Sequence, residues 1–194
     1  MPLVLAIKNK TEVVVGSDVP GPSTGSDRFG QLMPVTSHAV LLMAGNLEAV
    51  RHAILEIAMP KVNPDSSAAG VAQFVQAAMV LDVVPKLAEV KGRVEIIVAG
   101  IDPIHHQDEP GLYYMDSAQD FYLKVVAGDA VTAGSTAAVG PVLGAADFGT
   151  TPTPDLEAIA KECFTATKLR WPEALAAHVR LAVITQDSIQ IKDL

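Results

Sequence analysis

The feature that most constrains the fold is a pair of strand-like runs that are apolar on both faces. The stretches LVLAI at 3–7 and VEIIV at 94–98 hardly alternate between apolar and polar residues. Strands of this kind are usually covered on both sides. Two sheets packed face to face, with pairs of helices outside them, would bury every apolar face at once. The pattern therefore predicts an α+β protein, specifically a four-layer αββα sandwich.

The remaining patterns place strands, two helices, strands, two helices and strands along the chain in that order. Asn46 is expected to cap an amphipathic helix that stops near Pro60. Asp65 or Ser66 is expected to cap a second helix, which Pro85 kinks or ends. This order fits one domain spanning residues 1–194, because a chain of this length forms one core more readily than two.

Three further local predictions concern the second half of the chain. A strand is expected over 121–126, and the small-residue stretch 132–149 suits a closely packed helix at which subunits could approach. The last helix has a strong start signal, with Thr153 as N-cap, Pro154 at the first helical position and Asp155 in the first turn.

Composition excludes several classes of function. The chain has 14 basic and 22 acidic residues, a formal charge of −8 and no Lys/Arg cluster, so nucleic acid and anionic lipid are poor partners. No secretory signal is expected at the N-terminus, and no apolar stretch was expected to reach the ~18–20 residues of a membrane span. The single cysteine, Cys163, fits a reducing compartment and a packed side chain rather than a nucleophile. We therefore expect a soluble, cytoplasmic protein. Because 49% of the residues are hydrophobic, we also expect it to be oligomeric.

Six stretches in the same order resemble the proteasome β-subunit branch of the N-terminal nucleophile hydrolases, in a bacterial-type form. They are EVVVGSD at 12–18, LLMAGNLEAVRHAI at 41–54, VEIIVAGIDP at 94–103, GLYYMD at 111–116, AVTAGSTAA at 130–138 and HVRLAVITQDSIQ at 178–190. Together they span nearly the whole chain. The resemblance implies the four-layer sandwich, threonine-type peptidase ancestry and assembly into rings.

In catalytic members of that family an N-terminal threonine attacks the amide carbonyl, and a lysine, aspartates and a serine support it. Here the nucleophile's position falls on Pro2, which has no hydroxyl, and the lysine's position falls on Gln31. Asp18 matches the aspartate that orients the lysine. The serine's position falls on Ala133, with Ser135 close by. The second aspartate's position falls around 172, where Glu173 is the only acid.

Two of these positions allow two interpretations each. Pro2 could present a free secondary amine after methionine removal, or it could simply be the first residue of a strand. Asp18 could keep a polar role beneath the former site, or it could cap the turn that follows it. We therefore expect a protein without threonine-protease activity that acts as a self-assembling scaffold or binding subunit for a peptide or protein. The alternative is an active amide hydrolase with a rearranged site around the N-terminus and Asp18.

The segment His105-His106-Gln107-Asp108-Glu109 is the one cluster of metal-ligand residue types, with His105, His106 and Asp108 as weak candidates. Adjacent histidines in an extended segment point in opposite directions, so they rarely bind one ion. We interpret the segment as a solvated hairpin insertion, and predict neither a metal nor a cofactor. Homo-oligomerisation, as a ring or a dimer, is the partner prediction.

Overall fold

The computed structural model describes residues 3–19, 31–104, 107–148, 154–173 and 178–194, with the backbone alone described at 19, 103, 104, 107 and 108. Within these ranges the chain forms ten strands and four α-helices. The strands are β1 Leu3–Lys8, β2 Val13–Val19, β3 Leu32–Pro34, β4 Ala39–Gly45, β5 Val94–Ile104, β6 Gln107–Asp116, β7 Lys124–Val125, β8 Ala130–Gly134, β9 His178–Ile184 and β10 Ile189–Asp193. The helices are α1 Glu48–His52, α2 Ala68–Ala78, α3 Gly140–Ala145 and α4 Leu156–Arg170.

The strands form two antiparallel sheets of five strands each. The first sheet has the order β10-β9-β2-β1-β8, and the second has the order β3-β4-β5-β6-β7. Sequence neighbours pair as hairpins in both sheets, as the predicted order of elements requires. A mixed protein of helices and antiparallel sheets agrees with the expected α+β class.

The doubly apolar strands are covered on both faces. Val4 of β1 and Ile97 of β5 belong to one buried apolar cluster, to which both sheets contribute. Leu5 faces the other way, into a cluster with α4. Ile96 packs in a third cluster with α2. Complete burial of these residues explains why their strands show little polar alternation.

Gly16 in β2 lets α4 lie close to the first sheet. A Cβ at this position would lie 2.6 Å from the Phe164 ring and 2.8 Å from the Leu181 side chain, which is closer than carbon atoms pack. The absence of a side chain therefore brings the helix onto the strand.

The first two helices are less regular than expected, although the first ends near Pro60 as predicted. α1 begins after Leu47, not after Asn46, and continues as a π-helical stretch, Ala53–Ala58, and a 3₁₀ turn, Met59–Lys61. The prediction of Asn46 as the N-cap was wrong. Its side-chain amide donates instead to the Lys91 carbonyl, at 2.9 Å. Ser67, rather than Asp65 or Ser66, caps α2 by accepting the Gly70 N–H at 3.1 Å.

The predicted strand over 121–126 shrinks to the two residues of β7. The cause is a left-handed backbone at Asp120 and Phe121, with φ of 49° and 55°. This conformation turns the Phe121 ring into the core beside the second sheet, where it is fully buried. Burial of the aromatic ring offsets much of the cost of the two left-handed residues, which is about 1–2 kcal/mol each.

Two predictions for the last helices also change. In the stretch 132–149, which was expected to be helical, residues 132–134 belong to β8 and pair with β1. Only Gly140–Ala145 is helical. No residue of α3 is fully buried. In α4, Asp155 is itself the N-cap and accepts the Ala158 N–H at 3.0 Å, while Thr153 lies outside the described residues.

One helical segment in the described part of the chain is long and apolar enough to cross a membrane. It comprises Ala68–Glu89, with a mean hydropathy of 1.4 over its most apolar window, of which 39% is buried. The expectation that no stretch reaches this length was therefore wrong. The segment comprises α2, a π-helical stretch, Met79–Val83, and a 3₁₀ stretch, Val84–Glu89. Val71, Val75 and Met79 pack into the cluster beside the second sheet, as in a core helix of a globular protein.

Candidate functional site

The candidate site lies at the end of the two sheets where β1 begins. Leu3 stands opposite Gly134 of β8, and on its other side the Asp18 carboxylate accepts the Leu3 N–H at 2.8 Å. Asp18 is only 3% exposed. Three strands of the first sheet therefore meet at this end around one buried carboxylate. Pro2, the predicted nucleophile position, lies outside the described residues.

A second buried carboxylate crosses from the other sheet. Glu95 in β5 accepts the Gly134 N–H at 2.9 Å with Oε2 and the Tyr114 hydroxyl at 2.8 Å with Oε1. The Arg93 guanidinium lies 3.3 Å from Oε1. Glu95 is 7% exposed, so its charge is stabilised by these three donors rather than by water. This carboxylate ties the second sheet to the end of the first.

Arg93 also binds Asp116, a buried carboxylate beside Glu95 in the second sheet. Its guanidinium donates to the Asp116 carboxylate at 3.3 Å, and Asp116 also accepts the Ala118 N–H at 2.8 Å. The charge of Glu95 raises the pKa of Arg93. Burial, followed by the hydrogen bond to Glu95, raises the pKa of Tyr114, so the phenol remains a donor. Arg93 and Tyr114 therefore both donate hydrogen bonds or charge to buried carboxylates.

Gln31 occupies the same end of the second sheet. The backbone carbonyl of Gln31 accepts the N–H of Met43. Met43 is next to Ala44, which stands opposite Glu95 in the second sheet. The Gln31 side-chain oxygen Oε1 is buried, and it has no hydrogen-bond partner among the described residues. A buried acceptor without a donor is unfavourable by about 1–3 kcal/mol.

Ser17 presents a second buried oxygen without a partner. The residue is 1% exposed, and its Oγ makes no hydrogen bond within the part of the chain that the structure describes. Strand alternation places Ser17 on the same face of β2 as Val15, which belongs to the cluster between the sheets. Ser17 on β2 and Gln31, just before β3, therefore each hold a buried oxygen near this end of the molecule.

Four of the sequence-predicted site residues lie towards this end of the two sheets. Asp18 and Gln31 lie at this end of the two sheets. Ala133 is buried in the cluster between them, opposite Val4 of β1. Ser135 follows Gly134 directly, just beyond the end of β8.

Sequence reasoning missed Glu95, although a signal was present. Glu95 is the only charged residue in an otherwise apolar run, and a charge in a doubly covered strand needs buried partners. Those partners, Tyr114 and Gly134, come from distant parts of the chain, so no spacing in the sequence connects them to it.

The other candidates for metal binding or nucleophilic chemistry are His105, His106, Asp108 and Cys163. His105 and His106 lie outside the described residues, as does the side chain of Asp108. Among the residues that the structure does describe, no three metal-ligating side chains come together. Cys163 is fully buried on α4, and burial raises the pKa of its thiol to about 11, as expected for a packed side chain.

The described arrangement can hold a hydrogen-bond donor or a cation, but it presents no activated nucleophile. Asp18 and Glu95 are charged acceptors, and the guanidinium of Arg93 is shared between Glu95 and Asp116. The sequence matches no protein-family model and no curated protein. Any functional assignment therefore rests on the residues and their geometry.

Proposed function

We propose that this chain is a proteasome β-subunit-like protein of the N-terminal nucleophile fold. It lacks threonine-protease activity and acts as a self-assembling scaffold or binding subunit. Its architecture is the four-layer αββα sandwich of that family. In support, α2 packs on one face of the second sheet, α4 packs on one face of the first, and a shared apolar cluster lies between the sheets.

The observation that carries this proposal is a set of acceptors at the inter-sheet end where the family's lysine is replaced. Asp18 accepts a backbone N–H of β1, so it has a structural role that needs no lysine. Gln31 stands where the cation is expected, and no described residue donates to its Oε1. Ala133 stands where a serine is expected. A threonine-type mechanism needs a base or cation beside the nucleophile, and these substitutions remove it.

Self-assembly into a ring or a dimer is the second part of the proposal. Leu81 and Leu169, on the outer helical layers, are 66% and 79% exposed and would suit contact with another copy. The net charge of −8 disfavours nucleic acid and anionic lipid as partners. The proposed setting is the cytoplasm, and the proposed ligand is a peptide or protein.

The second candidate function is an amide hydrolase with a rearranged N-terminal site. Glu95 favours it, because a buried carboxylate lies beside Gly134, directly opposite the start of β1. A carboxylate in this position could accept a proton from a group at the N-terminus.

Hydrolysis of a panel of fluorogenic peptides separates the two candidates. We expect no turnover by the wild type and none by Pro2→Thr or Gln31→Lys alone. The double variant, which restores both groups, should hydrolyse at least one peptide. An inert but folded double variant would contradict the assignment of these two positions.

Intact mass provides the matching control, because retention of Met1 rules out any mechanism through the amine of residue 2. Wild-type turnover that is lost in both Asp18→Ala and Glu95→Gln would establish the hydrolase instead. Turnover that survives Asp18→Ala would contradict both accounts of the site. Sedimentation velocity tests the scaffold separately, since a strictly monomeric chain at tens of micromolar would refute self-assembly.

A further inference from the structure

A cavity lies away from this site, on the outer face of the helices that cover the second sheet. It is a trough of about 640 Å³ between α1 and the helical segment that continues α2, within the range of small-molecule sites. Two hydrogen bonds close its ends. The Asn46 amide donates to the Lys91 carbonyl at one end, at 2.9 Å. At the other, His52 Nδ1 lies 3.0 Å from the Asp82 carboxylate.

The floor of the trough is apolar and its rims are charged. Ala49, Val83 and Val90 line it between the two ends. Glu48 and His52 are four residues apart on α1, and Asp82 and Lys86 are four apart on the facing segment, so each pair projects on one side of its helix. This spacing turns both pairs of charged side chains towards the cavity.

The charges are divided between the two ends. At the end tied by His52, both Asp82 oxygens are occupied, one by His52 and one by Lys86 Nζ at 3.1 Å. These hydrogen bonds lower the pKa of Asp82, His52 contributing most. Because Lys86 offsets the aspartate, this end can accept an anion on the remaining Lys86 protons.

The end tied by Asn46 carries two carboxylates and one ammonium group. Glu48, Glu89 and Lys91 all line it, and in the described part of the chain none of the three side chains has an ion-pair partner. Two negative charges against one positive charge leave this end acidic, so it suits a cation.

The distance between the ends selects the ligand. Lys86 and Glu89, which carry opposite charges, are three residues apart on the 3₁₀ stretch, about 6 Å at 2.0 Å per residue. Two extended residues span about the same length, at about 3.3–3.6 Å each. We propose that the trough binds a short unblocked peptide of two residues. Its ammonium group lies by Glu48 and Glu89, and its terminal carboxylate lies by Lys86 and His52.

The test is a titration of the ¹⁵N-labelled full chain with di-alanine at low salt, in which the amide chemical shifts of the protein are measured. We expect saturable shifts confined to residues 46–52 and 82–91. Di-alanine with an acetylated N-terminus and an amidated C-terminus should bind at least about tenfold more weakly, because it lacks both charges. Equal binding of the blocked peptide, or shifts elsewhere in the chain, would overturn the proposal.

Two variants assign the ends of the trough. Lys86→Met and Glu89→Gln should each weaken di-alanine binding about fivefold, the effect of losing one exposed charge pair. Lys161→Met, which removes an exposed lysine from α4, is the matched control and should change nothing. Unchanged shifts in the rest of the spectrum confirm that each variant is folded. No saturable shift up to about 10 mM peptide, an affinity too weak for a specific site, would mean that the trough holds only water.

Discussion

Glu95 provides the strongest test of how the candidate site is held together. Its carboxylate accepts the Gly134 N–H of one sheet and the Tyr114 hydroxyl of the other, and it pairs with Arg93. Substitution by alanine would leave a buried amide and a phenol without an acceptor, and Arg93 with one carboxylate in place of two. We therefore expect Glu95→Ala to destabilise the protein strongly.

The magnitude follows from the burial of the group. Removing one partner of a buried, hydrogen-bonded ion pair costs about 3–5 kcal/mol. Because the Arg93 side chain is half exposed, water screens its interaction with Glu95. We therefore expect Glu95→Ala to lower the free energy of unfolding by about 3 kcal/mol, the low end of that range. Glutamine keeps one acceptor oxygen, and Glu95→Gln should cost about 1–2 kcal/mol.

Urea unfolding at neutral pH measures both free energies. For an m-value of about 2 kcal/mol/M, Glu95→Ala should lower the midpoint by about 1.5 M. Hydrogen exchange adds a local readout, because the Gly134 amide should lose protection in both variants. Glu162→Ala, an exposed glutamate on α4, is the control and should shift the midpoint little. A loss below about 1 kcal/mol for Glu95→Ala, with Gly134 still protected, would refute the tie between the sheets.

Three further predictions concern other buried groups. Asp18→Ala should lower the free energy of unfolding by about 1–3 kcal/mol, because the Leu3 amide loses its acceptor; an unchanged urea midpoint would argue against this bond. Gly100→Ala should cost about 3 kcal/mol or more by thermal unfolding, because its Cβ would collide with the His38 carbonyl; wild-type stability would contradict so close a packing of β4 and β5. Cys163 should react with a thiol reagent only after denaturation, since it is fully buried and burial raises its pKa to about 11; rapid reaction in the native protein would refute its burial.

Local patterns predicted the elements well where a single physical cause dominates. Doubly apolar strands predicted that β1 and β5 would be covered on both faces, and the order of strands and helices followed from periodicity alone. Patterns failed where a tertiary contact competed with local preference. Asn46 is a residue type that often caps helices, but its side-chain amide donates to the carbonyl of Lys91, 45 residues away. At Phe121, burial of the ring replaced the expected strand with a left-handed turn.

The sequence by itself determined which strands are covered on both faces and which residue types lie near the candidate site. Hydrophobic pattern is a local property, so the doubly apolar strands can be recognised without knowing their neighbours. That Gln31 carries no charge is likewise visible from residue type. Only the tertiary structure decided that Glu95 reaches Gly134 and that Asp18 holds the first residue of the described strand. Hydrogen bonds between distant segments depend on register and on the packing of one sheet against the other, which no stretch of sequence contains.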